Sequence, residues 1–224
     1  MGYYIDLQNI GLEAFRDKLK SADLLPGRRV LKNNLETNFQ KLKNSGVANL
    51  EELLEKTKNK KKAADFVKQS RIDEKYLTIL IREIKSYRQA PCKLKEFPDI
   101  PAEVSSRLER AGMINTFQLY NKVLTLESRD KLSSETGISP EWILKLARLA
   151  DLCRIRWVNH SFASILQETG YASAQDVAKA NVAEMYKKVN LFIEEKGLFK
   201  IRIGLHDIKL CVEAANDLSF DIVF

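Results

Sequence analysis

The sequence predicts an all-α fold, and three observations lead to this prediction. Apolar residues recur with the 3.6-residue period of a helix through most of the chain, as at Leu12, Phe15 and Leu19. Glycines and capping residues separate these periodic segments. A unit built around one such glycine occurs three times, and an internal repeat sets the architecture of a chain. We therefore expect about two-thirds of the residues to be helical, against a base rate of roughly one-third.

The repeated unit centres on Gly46, Gly112 and Gly170. A leucine precedes each glycine by four residues, a candidate helix N-cap follows it by three, and an aliphatic residue follows it by seven. Glycine ends a helix in the left-handed conformation without a Cβ penalty, and Asn or Ser caps the next helix. The matching residues are Leu42, Leu108 and Leu166, then Asn49, Asn115 and Ser173, then Leu53, Leu119 and Val177. This is a helix-hairpin-helix pattern, in which Gly46, Gly112 and Gly170 are structural.

The second copy, from Phe97 through Leu119, shows the pattern most fully. A helix is expected to end at Gly112, and the next helix is expected to begin after Asn115. The two apolar residues of the link, Met113 and Ile114, are expected to lie buried between these helices.

The copies also indicate how the chain is divided. The first two lie 66 residues apart and stay in register well beyond the turn, whereas the third follows after 58 residues and lacks this extension. Residues 88–96 include Pro91 and several polar residues, which favours a linker. We expect an N-terminal helical region at 1–90 with the first copy. A C-terminal region at 91–224 would hold the other two copies and a last helix from Asp207 to Asp217.

The two ends of the chain carry a different pattern. Residues 3–7 and 220–224 alternate apolar and polar side chains, which is typical of short strands. Fraying of both ends is the alternative, but it would expose several large apolar side chains. We expect the ends to pair as a small terminal β-ribbon covered by a helical surface, with Ile201 and Ile203 as candidates for a third strand.

The composition suits a globular protein of the cytoplasm. Hydrophobic residues make up 45% and charged residues 30% of the 224 positions. The sequence contains no apolar run near the ~18 residues of a membrane span and no signal-peptide pattern, so no membrane partner is expected. The cysteines, Cys92, Cys153 and Cys211, lie far apart, which argues against a disulfide framework or a zinc site. Cys153 and Cys211 fall on apolar helix faces, and we interpret these two as small buried hydrophobic residues.

The residue types that usually perform catalysis do not form a recognisable set. Neither His160 nor His206 has metal-ligand spacing, and His160 beside Ser161 lacks an orienting acid. Every glycine stands alone, so the sequence contains no phosphate-binding glycine loop. We therefore expect a protein that is not an enzyme and that requires no cofactor or metal.

Basic residues give the chain a formal net charge of +7 and a pI near 9.2, which allows nucleic-acid binding without requiring it. They cluster before the hairpins and in one lysine-rich run around Asn59. The candidate nucleic-acid-binding residues are Arg28, Arg29, Lys32, Lys58, Lys60, Lys61, Lys62, Lys93, Lys95, Arg154 and Arg156. The alternative, which the sequence leaves open, is that these residues form ordinary solvated helix flanks and loops.

Three segments, together with the hairpin triplets, suggest a relationship to known proteins. The segments 76–80, 97–100 and 150–155 (YLTIL, FPDI and ADLCRI) resemble the degenerate helix-hairpin-helix repeats of a bacterial family known only as a domain of unknown function. The resemblance covers nearly the whole chain. It implies an all-helical fold and brings no established activity.

The chain departs from the pattern of DNA-binding helix-hairpin-helix domains. Their first hairpin carries two glycines that let backbone N–H groups approach a phosphate. Here Asp99 and Trp157 replace the first glycine, while Pro101 and Asn159 replace the second. Proline has no N–H group to donate, and an aspartate repels a phosphate. We therefore expect a protein-interaction scaffold, with weak, sequence-nonspecific binding of nucleic acid by the basic flanks as the alternative.

Overall fold

The computed structural model describes residues 2–198, 200 and 202–224. Helices make up 63% of the chain and no strand is present among these residues, so the predicted all-α fold is confirmed. The α-helices are α1 (Leu12–Ser21), α2 (Leu35–Asn44), α3 (Leu50–Lys56), α4 (Lys60–Ser70), α5 (Glu74–Lys85), α6 (Ala102–Arg110), α7 (Thr116–Tyr120), α8 (Leu126–Thr136), α9 (Pro140–Leu152), α10 (His160–Glu168), α11 (Ala174–Ala178), α12 (Val182–Glu195) and α13 (Leu205–Ala215). Short 3₁₀ helices span Leu7–Asn9, Pro26–Lys32 and Leu94–Glu96.

The chain divides into two compact units. The N-terminal unit is Asp6–Tyr87, and the C-terminal unit combines Met1–Ile5 with Arg88–Phe224. The division after Tyr87 falls next to the segment 88–96 that the sequence indicates as a linker. The first five residues, however, belong to the C-terminal unit.

In the N-terminal unit, α1 packs against α2, and α5 packs against the 3₁₀ helix Pro26–Lys32. The aromatic rings of Phe15 and Phe39 are buried between α1 and α2. Tyr76 on α5 donates a hydrogen bond from its hydroxyl to the Leu31 carbonyl (3.0 Å), and burial raises the pKa of Tyr76 to about 12. A neutral, hydrogen-bonded tyrosine thus joins α5 to the 3₁₀ helix.

In the C-terminal unit, α9 is the central helix. It packs against α7, α8 and α10, while α13 packs against α11 and α12. Ile143, Leu146 and Ala150 on α9 are fully buried. These side chains belong to one continuous hydrophobic core that extends through the unit.

The three repeat glycines adopt the conformation that the sequence predicts. Their φ angles are +70° at Gly46, +80° at Gly112 and +91° at Gly170. In each turn, the amide after the glycine donates to the carbonyl of the leucine four residues before it, which closes the helix end. These bonds are Val47 N to Leu42 O (3.3 Å), Met113 N to Leu108 O (2.9 Å) and Tyr171 N to Leu166 O (2.9 Å).

The helix after each turn begins with the predicted cap. The side chains of Asn49, Asn115 and Ser173 each accept a hydrogen bond from the backbone amide three residues on. A polar side chain six residues after each glycine also reaches back to the amide before the cap. These reciprocal bonds join Ala48 N to Glu52 Oε2 (2.8 Å), Ile114 N to Gln118 Oε1 (2.8 Å) and Ala172 N to Asp176 Oδ2 (3.1 Å). The turn is therefore nearly the same in all three copies.

The copies differ in what the turn is attached to. In the first two, the turn exchanges backbone hydrogen bonds with a preceding segment. The bonds are Leu12 N to Ala48 O and Leu50 N to Ile10 O (both 3.1 Å), then Leu94 N to Ile114 O (3.0 Å) and Thr116 N to Cys92 O (2.9 Å). In the third copy, the amide of Ala174 donates to a side chain instead, at Asp151 Oδ2 (2.8 Å). A buried carboxylate therefore takes the place of a backbone carbonyl.

The terminal β-ribbon is not found. Residues 2–6 and 218–224 lie outside regular helix and strand, and Leu7 begins a 3₁₀ helix. The third strand expected at Ile201 and Ile203 cannot be compared, because residues 199 and 201 lie outside the described part of the chain. The lysine-rich run forms the start of α4, which begins at Lys60 because the side chain of Asn59 caps it. Lys60, Lys61 and Lys62 thus lie in a helix and not in a loop.

Gly112→Ala should destabilise the C-terminal unit by about 1–2 kcal/mol, the usual cost of a left-handed conformation in a residue with a Cβ. A Cβ at Gly112 would meet no atom within 4 Å, so the effect isolates the backbone conformation. Both tryptophans, Trp142 and Trp157, belong to this unit, and their fluorescence during urea unfolding reports its stability.

Gly2→Ala is the control, because Gly2 belongs to the same unit and also has open space around it but no left-handed φ. Its free energy of unfolding should change by less than about 0.5 kcal/mol. Equal effects at the two positions would contradict the proposed role of Gly112.

Candidate functional site

The end of α9 carries a buried ion pair that organises the candidate site. Arg154 Nη1 lies 2.7 Å from Asp151 Oδ1, and the two side chains are 1% and 4% exposed. Burial raises the pKa of the Asp151 carboxyl, while the Ala174 amide and Arg154 both favour its charged form. Asp151 thus connects α9 to two partners, Arg154 and the first turn of α11.

The remaining N–H groups of Arg154 hold both ends of the chain. Its Nε donates to the Tyr3 carbonyl (3.2 Å), and its Nη2 contacts the carbonyls of Gly2 (3.3 Å) and Ser219 (2.9 Å). The fixed fork of guanidinium donors suits this use, because it can satisfy several acceptors at once. One side chain therefore holds both chain ends, whereas the sequence predicts that the ends pair as strands.

Tyr120 lies against the same guanidinium. Its ring centroid is 4.6 Å from the Arg154 guanidinium carbon, which is a cation–π contact. Its hydroxyl donates to Asp221 Oδ2 (3.2 Å), which also accepts from Ser219 Oγ (3.0 Å). Burial raises the pKa of Tyr120, so the hydroxyl stays neutral and able to donate.

Aromatic contacts fix the N-terminal segment on α7. The ring of Tyr3 makes edge contacts with Tyr4, Phe117 and Tyr120 at centroid distances of 5.0–5.6 Å. Tyr4 stacks on Phe117 at 5.4 Å with an interplanar angle of 23°. The Tyr3 hydroxyl shares a 2.6 Å hydrogen bond with Thr116 Oγ1. The segment is thus tied to the second hairpin by both polar and aromatic contacts.

An apolar surface remains on this hairpin. Ile114 is 51% and Phe117 40% exposed, and Tyr4 beside them is half-buried. We call Tyr4, Ile114 and Phe117 the hairpin surface. The expectation that Ile114 is buried is wrong. Its backbone is bonded on both sides, to Gln118 Oε1 and to Leu94 N, so Met113 points into the core and Ile114 points to solvent.

The C-terminal residues add a second apolar surface. Leu126, Val223 and Phe224 are exposed, and the amide of Val223 donates to the Leu124 carbonyl (2.9 Å). The ring centroid of Phe224 lies 6.0 Å from the guanidinium carbon of Arg129. This surface therefore rests on the start of α8.

The turn before α10 contains a strained residue. Trp157 has a φ of +67°, which is rare for a bulky side chain and costs on the order of 1–3 kcal/mol. Gln89 holds the turn, because its Nε2 donates to the Val158 carbonyl (2.6 Å) and its Oε1 accepts from the Trp157 amide. The Arg156 guanidinium lies over the Trp157 ring at 4.2 Å. Trp157 is thus held in a left-handed conformation that glycine adopts more easily.

The basic candidates fall into two groups. Arg154 and Arg156 are buried, and Arg28 pairs with the buried carboxylate of Glu83, so these three contribute to the packing of their own units. The exposed candidates are Arg29, Lys32, Lys58, Lys60, Lys61, Lys62, Lys93 and Lys95. The sequence pattern of basic flanks does not distinguish the two groups, because only the folded chain shows which guanidinium groups are enclosed.

The positive charge is concentrated in the N-terminal unit. Residues 6–87 contain 18 lysines and arginines against 12 aspartates and glutamates, a net charge of +6 out of +7. Lys60, Lys61 and Lys62 occupy the first turn of α4, where the positive end of the helix dipole disfavours cations. Six of the eight exposed candidates lie in this unit, and only Lys93 and Lys95 lie in the other.

In the described part of the chain, no three His, Cys, Asp or Glu side chains come together in a group that could hold a metal ion. His160 begins α10, with its Nδ1 3.8 Å from Glu96 Oε2 and its ring against Phe97. Among the described helices, none is both long enough and apolar enough to cross a membrane.

Asp151→Asn should destabilise the C-terminal unit by about 3–5 kcal/mol, because it leaves the buried guanidinium of Arg154 without a counter-charge. The amide oxygen of asparagine can still accept from Ala174, so the variant tests the charge rather than that hydrogen bond. Urea unfolding followed by tryptophan fluorescence measures the effect.

Glu135→Gln serves as the control, because it removes one charge from an exposed pair with Lys131 in the same unit. The expected change is below about 1 kcal/mol. If Asp151→Asn were as mild as Glu135→Gln, the ion pair would not organise the unit.

Comparisons with known proteins place the C-terminal unit in a family. No curated protein and no solved structure matches the chain. The model of the family described as a domain of unknown function (DUF4332) matches residues 98–218, which is more than half of the chain. The matched residues include the second and third hairpins and the Asp151–Arg154 pair. The protein belongs to the DUF4332 family.

Proposed function

We propose that the protein is a non-enzymatic binding module of the cytoplasm, built from three degenerate helix-hairpin-helix repeats, and that it acts as a protein-interaction scaffold. The repeat assignment is supported by the shared turn, in which the left-handed glycine, the capped helix and the reciprocal side-chain bond recur. The scaffold role is supported by one observation above all, the exposure of Ile114 and Phe117 on a firmly held turn.

The hairpin surface has the properties of a protein-binding site. Large apolar side chains that stay exposed next to each other mark interaction sites more often than scattered ones do. Ile114 lies on a turn whose backbone is bonded on both sides, and Phe117 stacks on Tyr4. A surface that is already ordered loses little conformational entropy when it binds. An apolar groove or helix of a partner protein would bury these side chains as the centre of an interface.

The test is a pulldown with full-length protein that carries Ile114→Asp and Phe117→Ser. Partners captured by the unmodified chain should be lost, because a charge and a hydroxyl replace the apolar contacts at the centre of the surface. Circular dichroism must show that the variant keeps its helical content.

Leu191→Asp provides the matched control, since Leu191 is 56% exposed on α12 and lies outside the hairpin surface. It should retain the partners. Equal capture by all three proteins would show that the hairpin surface is not the binding site.

A second function, weak and sequence-nonspecific binding of nucleic acid, is favoured by the lysines of α4. Three exposed lysines lie in the first turn of this helix, where the positive end of the helix dipole repels them. This placement does not favour the stability of the helix. Residues that break a local rule in this way are frequently functional. A phosphate backbone at this position would be attracted by both the lysines and the helix N-terminus.

Reversal of Lys60, Lys61 and Lys62 to Glu should abolish binding to single- or double-stranded DNA or RNA at low salt. In the unmodified protein, affinity should fall steeply with salt as counterions are released. Gel shift and fluorescence anisotropy measure both effects. Reversal of Arg28, Arg154 or Arg156 is unsuitable, because each side chain is buried or paired within its unit.

The control reverses the same number of charges elsewhere, at the exposed residues Lys122, Lys131 and Lys187 of the C-terminal unit. This variant has the same net charge and should still bind. No shift of any nucleic acid by the unmodified protein at low salt would remove this function and leave the scaffold proposal untouched.

A further inference from the structure

Three polar atoms of the helix pair α9 and α10 are buried and make no hydrogen bond with any described part of the chain. They are Arg148 Nε on α9, and Ser164 Oγ and Gln167 Oε1 on α10. Ser164 is only 5% exposed, whereas Arg148 and Gln167 are half-buried. A buried polar group without a partner is costly, so three of them on two neighbouring helices require a physical explanation.

The two helices form an antiparallel pair. Gln89 Nε2 donates to the carbonyls of both Cys153 (3.4 Å) and Val158 (2.6 Å), which brings the end of α9 close to the start of α10. About two turns from this junction along each helix, Gln167 Nε2 donates to the Lys145 carbonyl (3.3 Å). Helices that meet at a junction and again two turns away from it run side by side in opposite directions.

This register places Arg148 and Ser164 at the same level of the pair. Arg148 follows Lys145 by three residues and Ser164 precedes Gln167 by three, so each lies about one turn nearer the junction. Residues three apart share a helix face, and Lys145 pairs with Glu168 of α10 (3.2 Å), so this face of α9 is turned towards α10. The three unbonded atoms therefore form one cluster between the helices, which we call the α9–α10 cluster.

The charge of Arg148 is not neutralised by any described carboxylate. The acids about one turn away are engaged, since Glu168 pairs with Lys145 and Asp151 pairs with Arg154. Arginine stays charged in proteins, and a partly buried charge without a counter-charge is unfavourable. An anion in the cluster would neutralise the guanidinium and accept a hydrogen bond from its Nε.

We propose that the α9–α10 cluster binds a hydrogen phosphate ion, with Arg148 and Ser164 as donors and Gln167 as the acceptor. A planar guanidinium can donate to two phosphate oxygens at once, and a serine hydroxyl can donate to a third. Gln167 has its Nε2 on the Lys145 carbonyl, so its Oε1 can only accept. Inorganic phosphate supplies both needs, because it has oxygens that accept and keeps a P–OH group that donates.

The need for a donor distinguishes inorganic phosphate from similar anions. Sulfate has no proton near neutral pH, so it cannot donate to Gln167. A phosphomonoester loses its last proton above a pKa of about 6 and then also has only acceptors. The cluster should therefore prefer inorganic phosphate to both. This site is separate from the hairpin surface and binds phosphate whether or not that surface binds a protein.

Isothermal titration calorimetry on the full-length protein, at about pH 8 in a buffer without phosphate, tests the proposal. Inorganic phosphate should bind saturably. Sulfate and glycerol 3-phosphate should bind at least about fivefold more weakly, because each leaves Gln167 Oε1 unsatisfied. Arg148→Gln should abolish phosphate binding, and Ser164→Ala should weaken it about fivefold or more.

Thermal unfolding of the same variants separates a binding role from a structural one. Without phosphate, neither substitution removes a hydrogen bond to a described residue, so neither should lower the unfolding midpoint, Tm. Phosphate should raise the Tm of the unmodified protein and leave that of Arg148→Gln unchanged, because a ligand stabilises the state that binds it. Ser164→Ala, which removes a single oxygen atom, keeps the test decisive if Arg148→Gln fails to fold.

Arg82→Gln is the matched control. Arg82 lies 66 residues before Arg148, which is the spacing of the first two copies, and it is exposed. The variant loses the same charge as Arg148→Gln and should bind phosphate as the unmodified protein does.

Three results would overturn the proposal. The first is no saturable binding of phosphate up to ~10 mM, which would leave these atoms to water. The second is equal affinity for phosphate and sulfate. The third is an equal loss of binding in Arg82→Gln and Arg148→Gln, which would show that phosphate binds the basic surface in general.

Discussion

The C-terminal unit depends on one buried cation. Arg154 has almost no contact with solvent, and its guanidinium is shared among Asp151, the carbonyls of Gly2 and Tyr3, and Ser219. A buried charge is costly unless it is paired and hydrogen-bonded, so each acceptor compensates part of the desolvation of the cation. The same carboxylate caps the third hairpin through Ala174. The two chain ends, α9 and α11 are therefore positioned by one network, and a change in any member affects the others.

This network explains why the hairpin surface is ordered. Tyr3 is fixed through its carbonyl by Arg154 and through its hydroxyl by Thr116. Its ring then supports Phe117 and Tyr4, which are the aromatic part of the surface. A buried pair often contributes little net stability compared with apolar residues of the same volume, but it imposes one arrangement. Here that arrangement places an N-terminal segment on a hairpin more than a hundred residues away in the sequence.

The sequence predicts local features well and long-range ones poorly. The positive φ at Gly112 and the cap at Asn115 follow from the chemistry of those residues alone, so the sequence is enough to predict both. Arg154 and Arg156 look the same as any basic flank, because burial is decided by the packing of distant elements. The alternation at residues 3–7 suggests a strand, yet Tyr3 is buried with its ring against Phe117 and Tyr120 rather than on a sheet face.

Trp157 and Ile114 of the C-terminal unit share one property. A glutamine side chain holds the backbone beside each of them. Gln89 bonds to the strained turn at Trp157, and Gln118 bonds to the amide of the exposed Ile114. An unfavourable φ persists only where its surroundings over-determine it. Glutamine suits this purpose because its amide both donates and accepts. The bonds of Ile114 to Gln118 and Leu94 hold its backbone on both sides, which supports the proposal of a preformed binding surface.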